Sequence, residues 1–109
     1  MTVPVDFMLV LVACMDALEA RWDNAADPAE RARVRRLLEH LDTWLERCLD
    51  ARFAHREAAL TGAEERLDAL QRRMERQAGK RDDSPQILGE ISSVLERLDN
   101  WWETLRAES

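Results

Sequence analysis

Leu38-Glu39-His40-Leu41-Asp42-Thr43-Trp44-Leu45-Glu46 returns 57 residues later as Leu95-Glu96-Arg97-Leu98-Asp99-Asn100-Trp101-Trp102-Glu103. Extended outward, the match pairs residues 28–49 with 85–106 without a gap, with 7 identities in 22 positions. Each copy opens on a helix-start signal, Asp27-Pro28 and Ser84-Pro85. The first residue of each pair can accept from an orphan N–H, and the proline lacks the N–H that would be orphaned there anyway. The repeat predicts that the chain reuses one helical packing surface.

The apolar spacing says how that surface packs. In the second copy Ile87, Ile91, Val94, Leu98, Trp101 and Leu105 step by four and three, a heptad seam, with Leu88, Leu95 and Trp102 flanking it. The first copy repeats the seam as Val34, Leu37, Leu41, Trp44 and Cys48, flanked by Leu38, Leu45 and Leu49. Between them, Ala63, Leu67, Leu70 and Met74 form a narrower stripe. Ahead of both copies, Phe7 to Met15 is an unbroken run of nine apolar residues. A helix apolar on every side has to be surrounded, and a second copy of the chain is the simplest supplier.

These patterns predict one all-α domain spanning 1–109, a four-helix up-and-down bundle of two αα-hairpins, dimeric. The first helix runs from Pro4 or Val5 to about Asp23 and stops in the Asn24–Asp27 turn. No Gly or Pro interrupts Ala29 to Leu60, so the second helix is expected to be one long central element of about 28–60, roughly 50 Å. Thr61-Gly62-Ala63-Glu64 has the form of a capping box and predicts a third helix starting there and fading at Ala78-Gly79. The fourth runs from Pro85 to about Arg106.

Composition narrows the classes of function. Hydrophobic residues make up 46% and charged residues 35%, with only 3 Gly and 3 Pro, a profile of helical bundles rather than of sheets or disordered tails. The net charge of −6 argues against direct nucleic-acid binding, which calls for a basic face. Arginine outnumbers lysine overwhelmingly, Lys80 standing alone, which points to a GC-rich bacterial or phage genome. Leu11-Val12-Ala13-Cys14 has the form of a lipobox, but Asp6 stands where an export signal would carry positive charge and nine residues cannot span a bilayer. A buried helix, no membrane association and a cytoplasmic location are therefore expected. Cys14 and Cys48 do not make a disulfide framework; across a hairpin turning near Ala26 they fall roughly 15 Å apart, and they read as small buried hydrophobes.

Catalytic constellations are missing from the pattern. His40 and His55 stand fifteen apart, which is no metal spacing, and no Glu-x-x-His string, Gly-rich phosphate loop or nucleophile elbow occurs. His40 matches Arg97 in the second copy and reads as an exposed polar position. No cofactor, no metal and no enzymatic activity are expected. The tryptophans carry the functional lead, because indoles anchor interfaces while keeping one donor for a wet edge. Trp44 and Trp101 sit on the seams. Trp102 stands about 100° further round, where the first copy has Leu45, a position open to an internal flank or an intermolecular anchor. The candidate residues for self-association or partner contact are Trp102, Trp101, Trp44, Leu45, Leu49, Phe53, Phe7 and Leu11. The expected function is a non-enzymatic protein–protein interaction module, a small inhibitor or adaptor that binds a larger protein through a helical surface. An export-type chaperone or immunity protein is the alternative, and a nucleic-acid-associated regulator the second alternative.

Overall fold

A computed structural model describes residues 5–25, 27–50, 57–76 and 84–108, and every element among them is helical. Four helices follow in order: α1 (Val5–Asn24), α2 (Pro28–Arg47), α3 (Glu57–Arg76) and α4 (Ser84–Glu108). They pack as a bundle 44 × 22 × 18 Å, with α1 and α4 each lying against both α2 and α3.

The α1–α2 turn closes as the Asp27-Pro28 signal requires. The Asp27 carboxylate accepts from the Ala29 N–H at 3.0 Å, and the Asp27 carbonyl takes the first helical bond from the Arg31 N–H at 3.1 Å. Arg31 finds a use despite its unfavourable place near a helix N-terminus. Its Nε donates to the Ala25 carbonyl at 2.9 Å, and its guanidinium lies 4.9 Å from the Trp22 ring centre. Arg21, in the last turn of α1, pairs with Glu30 in the first turn of α2 at 3.7 Å.

Two boundaries differ from the sequence reading. The second helix does not run to residue 60: it ends at Arg47, with Cys48 as its C-cap. Beyond it, the Leu49 N–H bonds the Glu46 carbonyl at 3.1 Å and the Asp50 N–H bonds Arg47 at 2.9 Å. These i→i−3 bonds are the tightening by which a helix stops without Gly or Pro. A straight helix of about 50 Å would outrun α1, which at 20 residues is about 30 Å long, and would leave Leu60 and the stripe after it without partners. In the folded chain Leu60, Leu67, Leu70 and Met74 are all buried in the common core. At about 1.5–3 kcal/mol per buried side chain that is on the order of 6 kcal/mol or more, enough to outweigh a broken helical run. The second difference follows: α3 is already helical at Glu57, so Thr61-Gly62-Ala63-Glu64 lies inside it rather than capping it.

The core is a single cluster. Phe7, Leu11, Cys14 and Leu18 come from α1, the expected seam Val34 to Cys48 from α2, and Ile87, Leu88, Ile91, Val94, Leu95, Leu98, Trp102 and Leu105 from α4. Gln71 is the one polar residue buried among the described residues. Glu90 ties α4 to α3, accepting from Arg66 at 2.6 Å and from Arg73 at 3.3 Å. Within one chain a stripe of α1 is buried, with Met8, Val10, Met15 and Ala17 partly covered beside it, and its opposite side is open. Leu9 is 61% exposed and Val12 43%.

Candidate functional site

The α2 and α4 seams bring the repeat's aromatic residues together, though not in the way the alignment pairs them. Trp44 is fully buried and meets Phe7 edge-on, ring centres 6.4 Å apart and planes at 87°. On its other side it meets Trp102, not its sequence counterpart Trp101, at 6.1 Å and 73°. Edge-to-face contacts of this kind add about 0.5–1.5 kcal/mol beyond area burial. Trp102 is 6% exposed, while Trp101 is only partly buried. Because α4 packs against two neighbours, its inward line shifts towards Leu88, Leu95 and Trp102.

One carboxylate on α4 gathers this region. Asp99 Oδ1 accepts from the Trp44 indole Nε1–H at 2.9 Å and from Arg47 Nη1 at 2.9 Å, and Oδ2 lies 2.8 Å from His40 Nε2. The Arg47 guanidinium also covers both indoles, 4.9 Å from the Trp44 ring centre and 5.5 Å from that of Trp102. Partial burial pushes the Asp99 carboxyl upward, but the hydrogen bonds from Trp44 and Arg47, with the charge and hydrogen bond of His40, outweigh it and hold it below 3.8. Both carboxylate oxygens are occupied by donors, so the arrangement fastens α2 to α4. His40, read as an exposed polar position, is half-buried in this contact. Neither partnership was found from sequence. Asp42 and Asp99 occupy the same place in the repeat, and only the packing decides that Asp99 meets a neighbour while Asp42 stays exposed.

Two clefts on the described surface combine apolar with charged side chains. At the end of α2, Leu49 is 70% exposed beside a cleft of about 440 Å³ that it lines with Thr43, Glu46, Arg47, Asp50 and Trp102. Between α1 and α2 a second cleft of about 310 Å³ is lined by Glu19, Trp22, Asp23, Arg35 and Leu38. Val12 on α1 and half-buried Leu45 on α2 lie on the flanks that continue from it by helical spacing. Each large hydrophobic exposed among the described residues, Leu9, Val12, Trp22 and Leu49, belongs to α1 or the end of α2.

Of the eight residues singled out from sequence, Phe7, Leu11, Trp44 and Trp102 are buried within one chain, and Trp101 and Leu45 are partly buried. Leu49 is exposed, and Phe53 lies outside the described residues. The two cysteines are buried and not bonded to each other. Burial, helped by the charge of Asp68, pushes the Cys14 thiol up to about 12, and burial raises Cys48 to about 11. Cys14 Sγ sits 3.5 Å from the Leu67 carbonyl, towards which its S–H points. Among the described residues no group of three or more His, Cys, Asp or Glu is placed to hold a metal ion, and no helix is long and apolar enough to cross a membrane. No protein-family model, curated protein or solved structure matches the chain.

Proposed function

We propose that this chain is a non-enzymatic protein–protein interaction module, a small inhibitor or adaptor that docks on a larger protein through the cleft at the end of α2. The observation that carries the reading is Leu49, 70% exposed at the edge of a cleft lined also by Trp102 and Arg47. Trp and Arg are the side chains that dominate binding energy at interfaces, and here both are held rigid from behind by Trp44 and Asp99. Glu46 and Asp50 give the cleft an acidic rim, so the complementary partner segment is apolar with basic flanks. In this reading the bundle is two αα-hairpins laid side by side, α1–α2 and α3–α4. The Phe7–Trp44 and Arg21–Glu30 contacts support the first of them. The module acts in a reducing, cytoplasmic setting, in keeping with two buried and unreactive thiols, and it works as a homodimer.

A photo-crosslinking residue placed at position 49, compared with one at exposed position 97 on α4, tests the docking surface in cells of the source organism. Adduct formation with one protein at 49 and none at 97 is the expected result. Equal labelling at both positions, or none at 49, refutes the assignment of the cleft.

A further inference from the structure

The two clefts are the ends of one groove. On α2, Arg35, Leu38, Asp42, Leu45 and Leu49 step by three and four residues, so they share one stripe running from the first cleft to the second. On α1, Leu9, Val12, Asp16, Glu19 and Asp23 step in the same way and share another. Glu19 and Asp23 meet Arg35 and Leu38 around the cleft between α1 and α2, so the two stripes border it from opposite sides. Phe7 meets Trp44 and Arg21 meets Glu30, so the helices run in opposite directions and the stripes stay beside each other along the bundle. From Arg35 to Leu49 the groove is about 21 Å long, or about four helical turns.

Apolar exposure and charge both gather here. The four large hydrophobics exposed among the described residues lie along the groove: Trp22 in one cleft, Leu9 and Val12 on the α1 stripe, and Leu49 in the other cleft. Asp16, Glu19, Asp23, Asp42 and Glu46 are exposed and make no ion pair among the described residues. The two arginines beside them have partners within the chain, Arg31 in the Ala25 carbonyl and the Trp22 ring, and Arg35 in Glu39 at 3.7 Å.

We infer that this groove takes a basic amphipathic helix of another protein. Its apolar seam lies on Leu9, Val12, Leu45 and Leu49, and its arginines or lysines face the unpaired carboxylates. This rests on the docking reading of the cleft at the end of α2 and extends that cleft along both helices. A helix held in a groove buries anchors three and four residues apart, the spacing that both stripes carry. Opposite charge around the seam sets its register and speeds encounter. Glu19 and Asp23 stand at one end, Asp42 and Glu46 towards the other, so the partner's bases flank its apolar stretch at both ends. A second copy of the chain, with a net charge of −6, brings more acid to the same place. Nucleic acid and anionic lipid are repelled for the same reason.

Two synthetic helical peptides with the same leucine seam, one flanked by arginine and one by glutamate, test the assignment by fluorescence anisotropy. A photo-crosslinking residue at position 12, 49 or 97 reports where each peptide lies. The arginine peptide is expected to bind at least about tenfold more tightly than the glutamate peptide, to lose that advantage at about 1 M salt, and to label positions 12 and 49 but not 97. Asp42→Arg combined with Glu19→Arg, both at exposed positions, is expected to reverse the preference, with circular dichroism checking the fold. Labelling at 49 alone overturns the groove and leaves the docking cleft standing, whereas labelling at 12 alone keeps the groove and overturns the cleft. Equal binding of the two peptides, binding of neither, or chain-to-chain adducts at 12 that exclude the peptide overturn the inference.

Discussion

Replacing Asp99 by alanine removes three hydrogen bonds at once, and the three are not equivalent. Arg47 and His40 keep 25% and 28% of their side-chain surface in water and can turn to solvent, so each loses no more than about 1 kcal/mol. Trp44 is fully buried, and its indole N–H has no such escape. An orphaned buried donor costs about 1–3 kcal/mol. The sum is about 1–5 kcal/mol, or at least about 4 °C in melting temperature for a domain of this size. Asp99→Asn keeps an oxygen for Trp44 and Arg47 and loses only the charge, so about 1 kcal/mol is expected. Asp42→Ala, at the same position of the repeat but solvent-exposed, is expected to stay within about 0.5 kcal/mol of wild type.

The pH dependence follows from the same contacts. The folded chain holds the Asp99 carboxyl below its ordinary 3.8, so the unfolded chain takes up the proton more readily. The stabilisation is complete above the unfolded value and is lost as pH falls through the folded one. Thermal melts of wild type, Asp99→Ala and Asp42→Ala at pH 7 and pH 3 read all of this. The gap between wild type and Asp99→Ala should be widest at pH 7 and narrow at pH 3. Equal melting temperatures at pH 7, or an Asp42→Ala loss matching that of Asp99→Ala, would refute the claim that Asp99 fastens α2 to α4.

With thiols raised to about 12 and about 11, Cys14 and Cys48 should stay unlabelled by a disulfide reagent at pH 8 until denaturant unfolds the chain; rapid labelling of the native protein would contradict their burial. Gly62 lies inside α3, and a Cβ built on it meets nothing within 4 Å, so Gly62→Ala should raise stability by about 0.5–1 kcal/mol, measured as the urea midpoint, whereas a loss would return Gly62 to the helix boundary. Trp102→Ala should lose about 3–5 kcal/mol by emptying the space against Trp44, and a loss under 1 kcal/mol in the same titration would mean the indole is not part of the core.

The heptad steps of Val34 to Cys48 and Ile87 to Leu105 made the helices and most of their buried residues legible, since burial on a helix follows from spacing alone. The Asp27-Pro28 cap was legible for the same reason: its chemistry is local. What escaped were decisions made by tertiary packing. The stop after Arg47 carries no Gly or Pro, because the gain lies in Leu60 to Met74 reaching the core. Thr61 and Glu64 have capping-box spacing and sit inside a helix, because the pattern fits helix interiors equally well. The exchange of Trp101 for Trp102 is a rotation of α4 towards two neighbours, a quantity the sequence of one helix does not contain. Asp99 escaped because a motif present twice gives no hint that its copies meet different surroundings.

Those surroundings also decide which side of the molecule is left to work with. The outer face of α4 carries Gln86, Ser93, Glu96, Arg97, Asn100 and Glu103, all exposed, so water suits it as it stands. Isolated exposed hydrophobics are ordinary on protein surfaces, but Leu9 and Val12 are not isolated. They belong to a run of nine apolar residues of which Phe7, Leu11 and Cys14 enter the core and Met8, Val10 and Met15 pack against it. Where α2 and α4 place charge on their outer turns, this part of α1 places none. Leu9 and Val12 therefore form an exposed apolar pair with no polar residue between them in sequence. Leu49 continues the Leu38–Leu45 flank of α2 to the end of that helix, where it lines the cleft with Trp102 and Arg47 and is the most exposed large hydrophobic among the described residues.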